Sequence, residues 1–132
     1  MKRATTTIDG LIKNGKVDRV VQKNLETTSA QVDAPLISTL RRHADPLVRE
    51  ACAAILGERR SRKALPALLK ALDDESVHVR MDAVWAIEKV AGLTIGDLMT
   101  ALLLDINDWP EVRRRVRAWW RVVKDDDIFK HG

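Results

Sequence analysis

The chain has 132 residues, 45% hydrophobic and 32% charged, with Lys and Arg exceeding Asp and Glu by four. That is enough apolar material for one packed domain, and too much for a disordered chain. No apolar run approaches the ~20 residues of a membrane-spanning helix. The opening MKRATTTIDG has no apolar segment behind its basic residues, and the single cysteine, Cys52, excludes an internal disulfide framework. These features predict a cytoplasmic chain with no membrane association.

Along the chain, Ile8, Leu11 and Ile12 predict a short helix, Asn14-Gly15 a turn, and Val17, Val20, Val21 and Leu25 a second helix. Residues 6–27 are thus read as a degenerate N-terminal hairpin, followed by the loop TTSAQVD. The first clear unit spans 34–58. Pro35 opens a helix carrying Leu36, Ile37 and Leu40, and Asp45-Pro46 reads as N-cap and first residue of the next. There Val48, Ala51, Cys52, Ile55 and Leu56 form a one-sided apolar stripe, and Gly57 is read as the stop.

The unit 61–92 repeats this plan. Ser61 is placed to cap a helix bearing Leu65, Leu68, Leu69 and Leu72; Ser76 caps the next, with Val79, Ala83, Ala86, Ile87 and Val90 inward and Gly92 ending it. In the unit 94–124, Thr94 and Asp97 resemble a capping box ahead of Leu98, Leu102 and Leu103. Asp108 or Trp109, before Pro110, starts a last helix with Val112, Val116, Trp119, Trp120 and Val123 inward. The polar tail, residues 125–132, is expected to fray.

The second helices are copies of one pattern: VREACAAILG from Val48, VRMDAVWAIE from Val79 and VRRRVRAWWR from Val112, thirty-one and thirty-three residues apart. A repeat of that period marks stacked helical hairpins. The residues resemble the HEAT-like repeat family, in particular the short variety named after phycobilisome lyases. The match runs Pro35…Leu40, Asp45-Pro46, Val48-Arg49, Ala51, Leu56-Gly57, then Pro66…Leu72, Asp73, Val79-Arg80, Ala83, Ile87, and fades to Pro110, Val112 and Arg113. It covers about residues 34–123. The resemblance implies an all-α, right-handed α-solenoid of about four hairpins and eight helices in a single domain, 1–132. It also implies that Arg49, Arg80 and Arg113 pair with acids of their own or the next hairpin. It does not fix the function, since the family includes scaffolds, lyases, hydroxylases and DNA-repair enzymes.

In phase, Glu50, Met81 and Arg114 share one position of the second helices. Ala53, Val84 and Arg117 share another; Ala54, Trp85 and Ala118 a third; Gly57, Glu88 and Arg121 a fourth. These positions lie off the expected apolar stripe, and the resemblance places them on the concave side. Met81 and Trp85, one turn apart, with Arg114, Arg117 and Arg121 on the next helix, combine the residue types enriched at protein interfaces. They are the expected contact set for another protein, one with acidic character. The alternative partner is nucleic acid, through the phosphate-binding edge Arg59, Arg60, Arg62 and Lys63 and the basic last helix. Trp119 and Trp120 flanked by arginines suggest base stacking, but they align with core positions, which predicts a buried cap. Asp82 and Arg115 are expected to pair. Catalysis, as by a HEAT-type lyase or DNA-repair enzyme, finds little support: His43, His78 and His131 do not recur in phase, no metal-spaced Cys/His set exists, and Cys52 falls on a core stripe. No cofactor is expected. The sequence reads as a non-catalytic adaptor, scaffold or assembly factor.

Overall fold

The computed structural model describes residues 8–92 and 108–125. Six helices lie within them: α1 Arg19–Thr27, α2 Asp33–Arg42, α3 Pro46–Glu58, α4 Leu65–Lys70, α5 Val77–Ala91 and α6 Trp109–Val123. The helix expected around Leu98–Leu103 lies outside the described residues. The described residues hold six complete helices rather than eight, and the first hairpin is not purely helical: Ile8 and Asp9 are helical, but strands follow. Strand β1 (Ile12–Lys13) pairs antiparallel with β2 (Lys16–Val17), Ile12 opposite Val17. The loop is Asn14-Gly15 with φ of 55° and 75°. Asn and Gly tolerate two successive left-handed residues, and that geometry closes a two-residue β-hairpin rather than a helical turn. Asp18 then donates its amide to the Leu11 carbonyl at 2.7 Å, and its side chain caps α1 by accepting from the amides of Val20 and Val21. Leu11 and Leu25 carry this segment into the core.

Asp45 caps α3 as its sequence predicts, its carboxylate accepting from the Leu47 amide at 2.9 Å with Pro46 in the first turn. The stripe Val48, Ala51, Cys52, Ile55 and Leu56 is buried. Gly57 does not stop the helix, which runs on to Glu58. Its role is close approach. A Cβ there would lie 2.9 Å from Cα of Ala86 and 3.2 Å from Cζ3 of Trp85, so glycine is what lets α5 pack down on α3.

The second unit enters through a 3-10 turn, Arg62–Ala64, where Ser61 is buried and caps nothing with its side chain. Helix α4 is short and runs into a second 3-10 turn, Ala71–Asp73. Ser76 caps α5 by accepting from the Val79 amide at 3.5 Å, and Gly92 ends α5 in the left-handed conformation at φ 79°. Val79, Ala83, Ala86, Ile87 and Val90 are buried as expected, together with Leu65, Leu68 and Leu72 of the preceding helix and turns. Asp108 caps α6 through the Glu111 amide, and Val112 and Val116 are its buried residues. Trp119 and Trp120 pack against the core but stay partly exposed, so they form a half-covered edge rather than the fully buried cap expected.

The arginine of each Val-Arg pair ties one hairpin to the next, in three different ways. Arg49 donates from Nε and Nη2 to the two carboxylate oxygens of Asp74, at 2.8 and 2.9 Å, and from Nη1 to the carbonyls of His43 and Ala44. Arg80 instead donates to the carbonyls of Asp74 and Glu75 and lies over the ring of Trp109, 5.4 Å from its centroid. Arg113 turns back to Asp73 of the preceding hairpin at 3.2 Å. A fourth arginine, Arg59, secures α1: it pairs with Asp33 at 2.6 Å and donates to the carbonyls of Leu25, Thr28 and Ala30.

Two outcomes follow from this packing. Gly57→Ala gains roughly 1 kcal/mol of helix propensity but must push back a backbone atom of α5, which costs about 1–3 kcal/mol. A net loss in denaturant unfolding is expected; a more stable variant would show that the helices separate freely. Arg49→Met leaves Asp74 and two carbonyls without their donor, at a cost of about 1–3 kcal/mol. Burial raises Asp74, but Arg49, the Ser76 amide and the charge of Arg80 outweigh it and hold the carboxyl below its usual range. The pair therefore contributes above the ordinary carboxylate range and is lost as pH falls through the lowered folded value. Unfolding measured against pH should show wild type and variant converging in acid.

Candidate binding surfaces on the second helices

The four in-phase positions split into two faces. At one, Glu50 is half-buried, Met81 is 49% exposed and Arg114 is exposed; at its neighbour, Ala54, Trp85 and Ala118 are all half-buried. The other two positions are not off the stripe, as sequence spacing suggests, but are closed over in the first copies. Ala53 and Val84 are buried, and so are Gly57 and Glu88. In α6 these two positions hold Arg117 and Arg121. The expected contact set therefore divides, with Met81, Trp85 and Arg114 on one face and Arg117 and Arg121 on the other.

On the first face, Met81 and Trp85 lie one turn apart on α5. The Lys89 ammonium sits 5.0 Å from the Trp85 ring centroid and also pairs with Glu58 at 3.0 Å. Arg114 is held in its own helix by Glu111, at 2.6 and 2.9 Å, and Arg115 donates to the same carboxylate at 2.7 Å. Hydrogen bonds from Arg114 and Arg115 pull Glu111 down to about 2. The expected Asp82–Arg115 pair does not form. Asp82 makes no hydrogen bond or ion pair among the described residues and lines a groove of about 520 Å³. That groove runs between Glu50 and Ala54 of α3 and Lys16 and Arg19 at the N-terminal ribbon. Burial first, then the like charge of Glu50, push Asp82 up to about 6 against the opposing charge of His78.

On the second face, Arg117 donates to Asp73 at 2.6 Å and to the Leu69 carbonyl at 3.3 Å. A shallow groove of about 410 Å³ lies between α4 and α6, lined by Pro66, Leu69, Lys70, Arg117, Trp120 and Arg121. In the sequence Trp120 reads as a core ring and Pro66 as part of the repeat match, and nothing singles out Lys70. The signal that finds the groove is Arg117, a charge at a position apolar in both earlier copies.

The predicted phosphate edge is reduced by its own bonding. Arg59 is turned inward, and Arg60 donates to the Lys89 carbonyl at 2.8 Å. Arg62 and Lys63 are exposed and bear no ion pair among the described residues. The rings of Trp119 and Trp120 are tilted by 43° at 6.4 Å, in contact with each other rather than set apart as parallel stacking platforms. Cys52 is fully buried, which pushes its thiol up to about 12, so it is un-ionised at neutral pH. Among the described residues, no three His, Cys, Asp or Glu gather as metal ligands, and no helix is long and apolar enough to cross a membrane.

Helical hairpins in register, linked arginine to turn, define a protein of the helical-repeat class. The family model of HEAT repeats matches residues 34–119, well over half of the chain, and the chain belongs to that family. No match was found among curated proteins or among solved structures.

The raised Asp82 carboxyl makes a signed prediction. The folded chain disfavours the ionised form, so Asp82 weighs against folding above about pH 6 and is relieved as pH falls below that value. Asp82→Asn should stabilise the protein at neutral pH by about 1–2 kcal/mol, allowing for solvent screening of a half-exposed group. The gain should close as pH approaches the ordinary carboxylate range. A variant no more stable than wild type at neutral pH would mean that Asp82 is well solvated.

Proposed function

We propose that this protein is a non-catalytic adaptor or scaffold, acting in the cytoplasm, that binds another protein through the outer faces of its second helices. On this reading the described helices belong to a right-handed solenoid of about four hairpins. The second helices line the concave side. Met81, Trp85 and Arg114 form one part of the contact surface and Arg117 and Arg121 the other.

The observation that supports this most is Met81. On α5, Val77 and Met81, one turn apart, are 47% and 49% exposed beside the half-buried Trp85, while the other apolar residues of the helix are buried or half-buried. Stacked repeats bury their core between hairpins and leave one face for partners. An apolar side chain kept on that face serves contact better than solubility. The phosphate-edge reading is weaker, since two of its four cations are engaged by the chain itself.

Affinity capture with wild type and a Met81→Asp/Arg114→Glu double variant, at low and high salt, tests the reading. Both positions are solvent-exposed, so the variant should unfold like wild type. A partner protein held by wild type at both salts and lost by the variant is the expected result. Recovery of nucleic acid alone, released by salt, would overturn it, as would a partner that binds both forms equally.

A further inference from the structure

We infer that the groove between α4 and α6 is a docking site for an acidic segment of a protein partner, one that carries an apolar side chain among its carboxylates. The inference rests on the adaptor reading and adds the chemistry of the partner. The groove has two kinds of wall. Pro66, Leu69 and the half-buried ring of Trp120 make it apolar, and Lys70, Arg117 and Arg121 set three cations around it.

Those cations are not equivalent. Arg117 is committed, donating to Asp73 and to the Leu69 carbonyl. Lys70 and Arg121 are exposed and have no ion pair among the described residues. An occupant therefore meets an apolar floor with two available cations, one from each helix. A peptide matches that arrangement: an apolar side chain covers Trp120 and Pro66 while carboxylates meet Lys70 and Arg121.

A nucleic-acid strand matches it poorly. Its phosphates recur at short intervals and need a run of cations. Here the groove adjoins Asp73, whose side chain is 51% exposed and already draws in Arg113 and Arg117. A uniform polyanion laid along α4 would pass that carboxylate; a short segment with spaced acids need not.

The repeat register explains why the groove exists. In α5 the positions equivalent to Arg117 and Arg121 are Val84 and Glu88, both closed off from solvent. With arginines in α6, one side chain reaches across to the turn after α4 and the other stands exposed at the groove.

Fluorescence anisotropy of labelled synthetic peptides on the full chain tests the inference. One peptide carries Asp and Glu around a central Leu-Phe pair; a second has the acids replaced by Asn and Gln; a third keeps the acids but has Ser in place of Leu-Phe. A single-stranded oligonucleotide of similar length is the fourth probe. Only the first peptide should bind well, and Lys70→Glu/Arg121→Glu should weaken it about tenfold. Both residues are exposed and without an ion pair among the described residues, and thermal unfolding checks that the variant is folded. Lys23→Glu, at an exposed residue of α1 that lines neither groove, should leave the peptide affinity unchanged. Partner capture that is lost on Met81→Asp/Arg114→Glu while no peptide binds would overturn this groove and leave the adaptor reading standing. The inference is overturned if the double charge reversal has no effect, if the acid-free or anchor-free peptide binds as well, or if the oligonucleotide binds more tightly than the peptide.

Discussion

The contact on which the rest of the structure depends is the chelate of Asp74 by Arg49. It joins the second helix of one hairpin to the turn between the two helices of the next, with both carboxylate oxygens occupied and two further carbonyls bound behind it. Two parallel N–H···O bonds fix direction as well as distance, which a single lysine contact would not. The same Asp74 oxygen that meets Nη2 also accepts the Ser76 amide, at the residue that caps α5. The position and starting angle of α5 are therefore set from α3. The close approach at Gly57 and Ala86 is then possible, because a helix held at both ends can be brought nearer than side chains alone would bring it. A residue outside the core thus determines how the core closes.

The copies diverge where that scheme is not repeated. Arg80 finds a tryptophan ring and two carbonyls in place of a carboxylate, and Arg113 reaches backward rather than forward. Asp73 then receives two arginines of α6, Arg113 and Arg117, and is more exposed than Asp74. Exposed pairs of this kind hold a geometry weakly. The α2–α3 and α4–α5 hairpins are locked by a nearly buried chelate, whereas among the described residues α6 is held by surface ion pairs, the Trp109 indole bond to the Leu72 carbonyl and the buried Val112 and Val116.

Much of the fold was legible because repetition amplifies weak signals. Val48, Val79 and Val112 are individually unremarkable apolar residues, but in phase they locate three helices, and the caps Asp45, Ser76 and Asp108 follow a few residues before them. What the sequence hid were matters of direction. Gly57 reads as a helix stop because glycine commonly ends helices; only the distance to Ala86 reveals a packing role. Asn14-Gly15 reads as a turn in either setting, and whether it joins helices or strands depends on two left-handed residues that spacing does not encode. The site was half legible for the same reason. Met81 and Trp85 fall on an accessible face as their spacing implies. Arg117 and Arg121 share a helix with Arg114 but look the other way, and the charge of Arg59 conceals that its side chain serves the carbonyls of α1 and its loop.

The distribution of arginine on α6 is hard to account for by stability alone. The helix carries Arg113, Arg114, Arg115, Arg117 and Arg121 and one acid, Glu111. Among the described residues, Glu111 is shared by Arg114 and Arg115 and Asp73 by Arg113 and Arg117. Five guanidinium groups on one helix repel one another. In the equivalent stretch of α3, residues 49–57, the charges are Arg49 and Glu50 alone, followed by small and apolar residues. The concentration of positive charge on α6, beside an apolar groove, is the surface that the proposed acidic partner would meet. Such a partner would neutralise part of the charge and cover Trp120 at once.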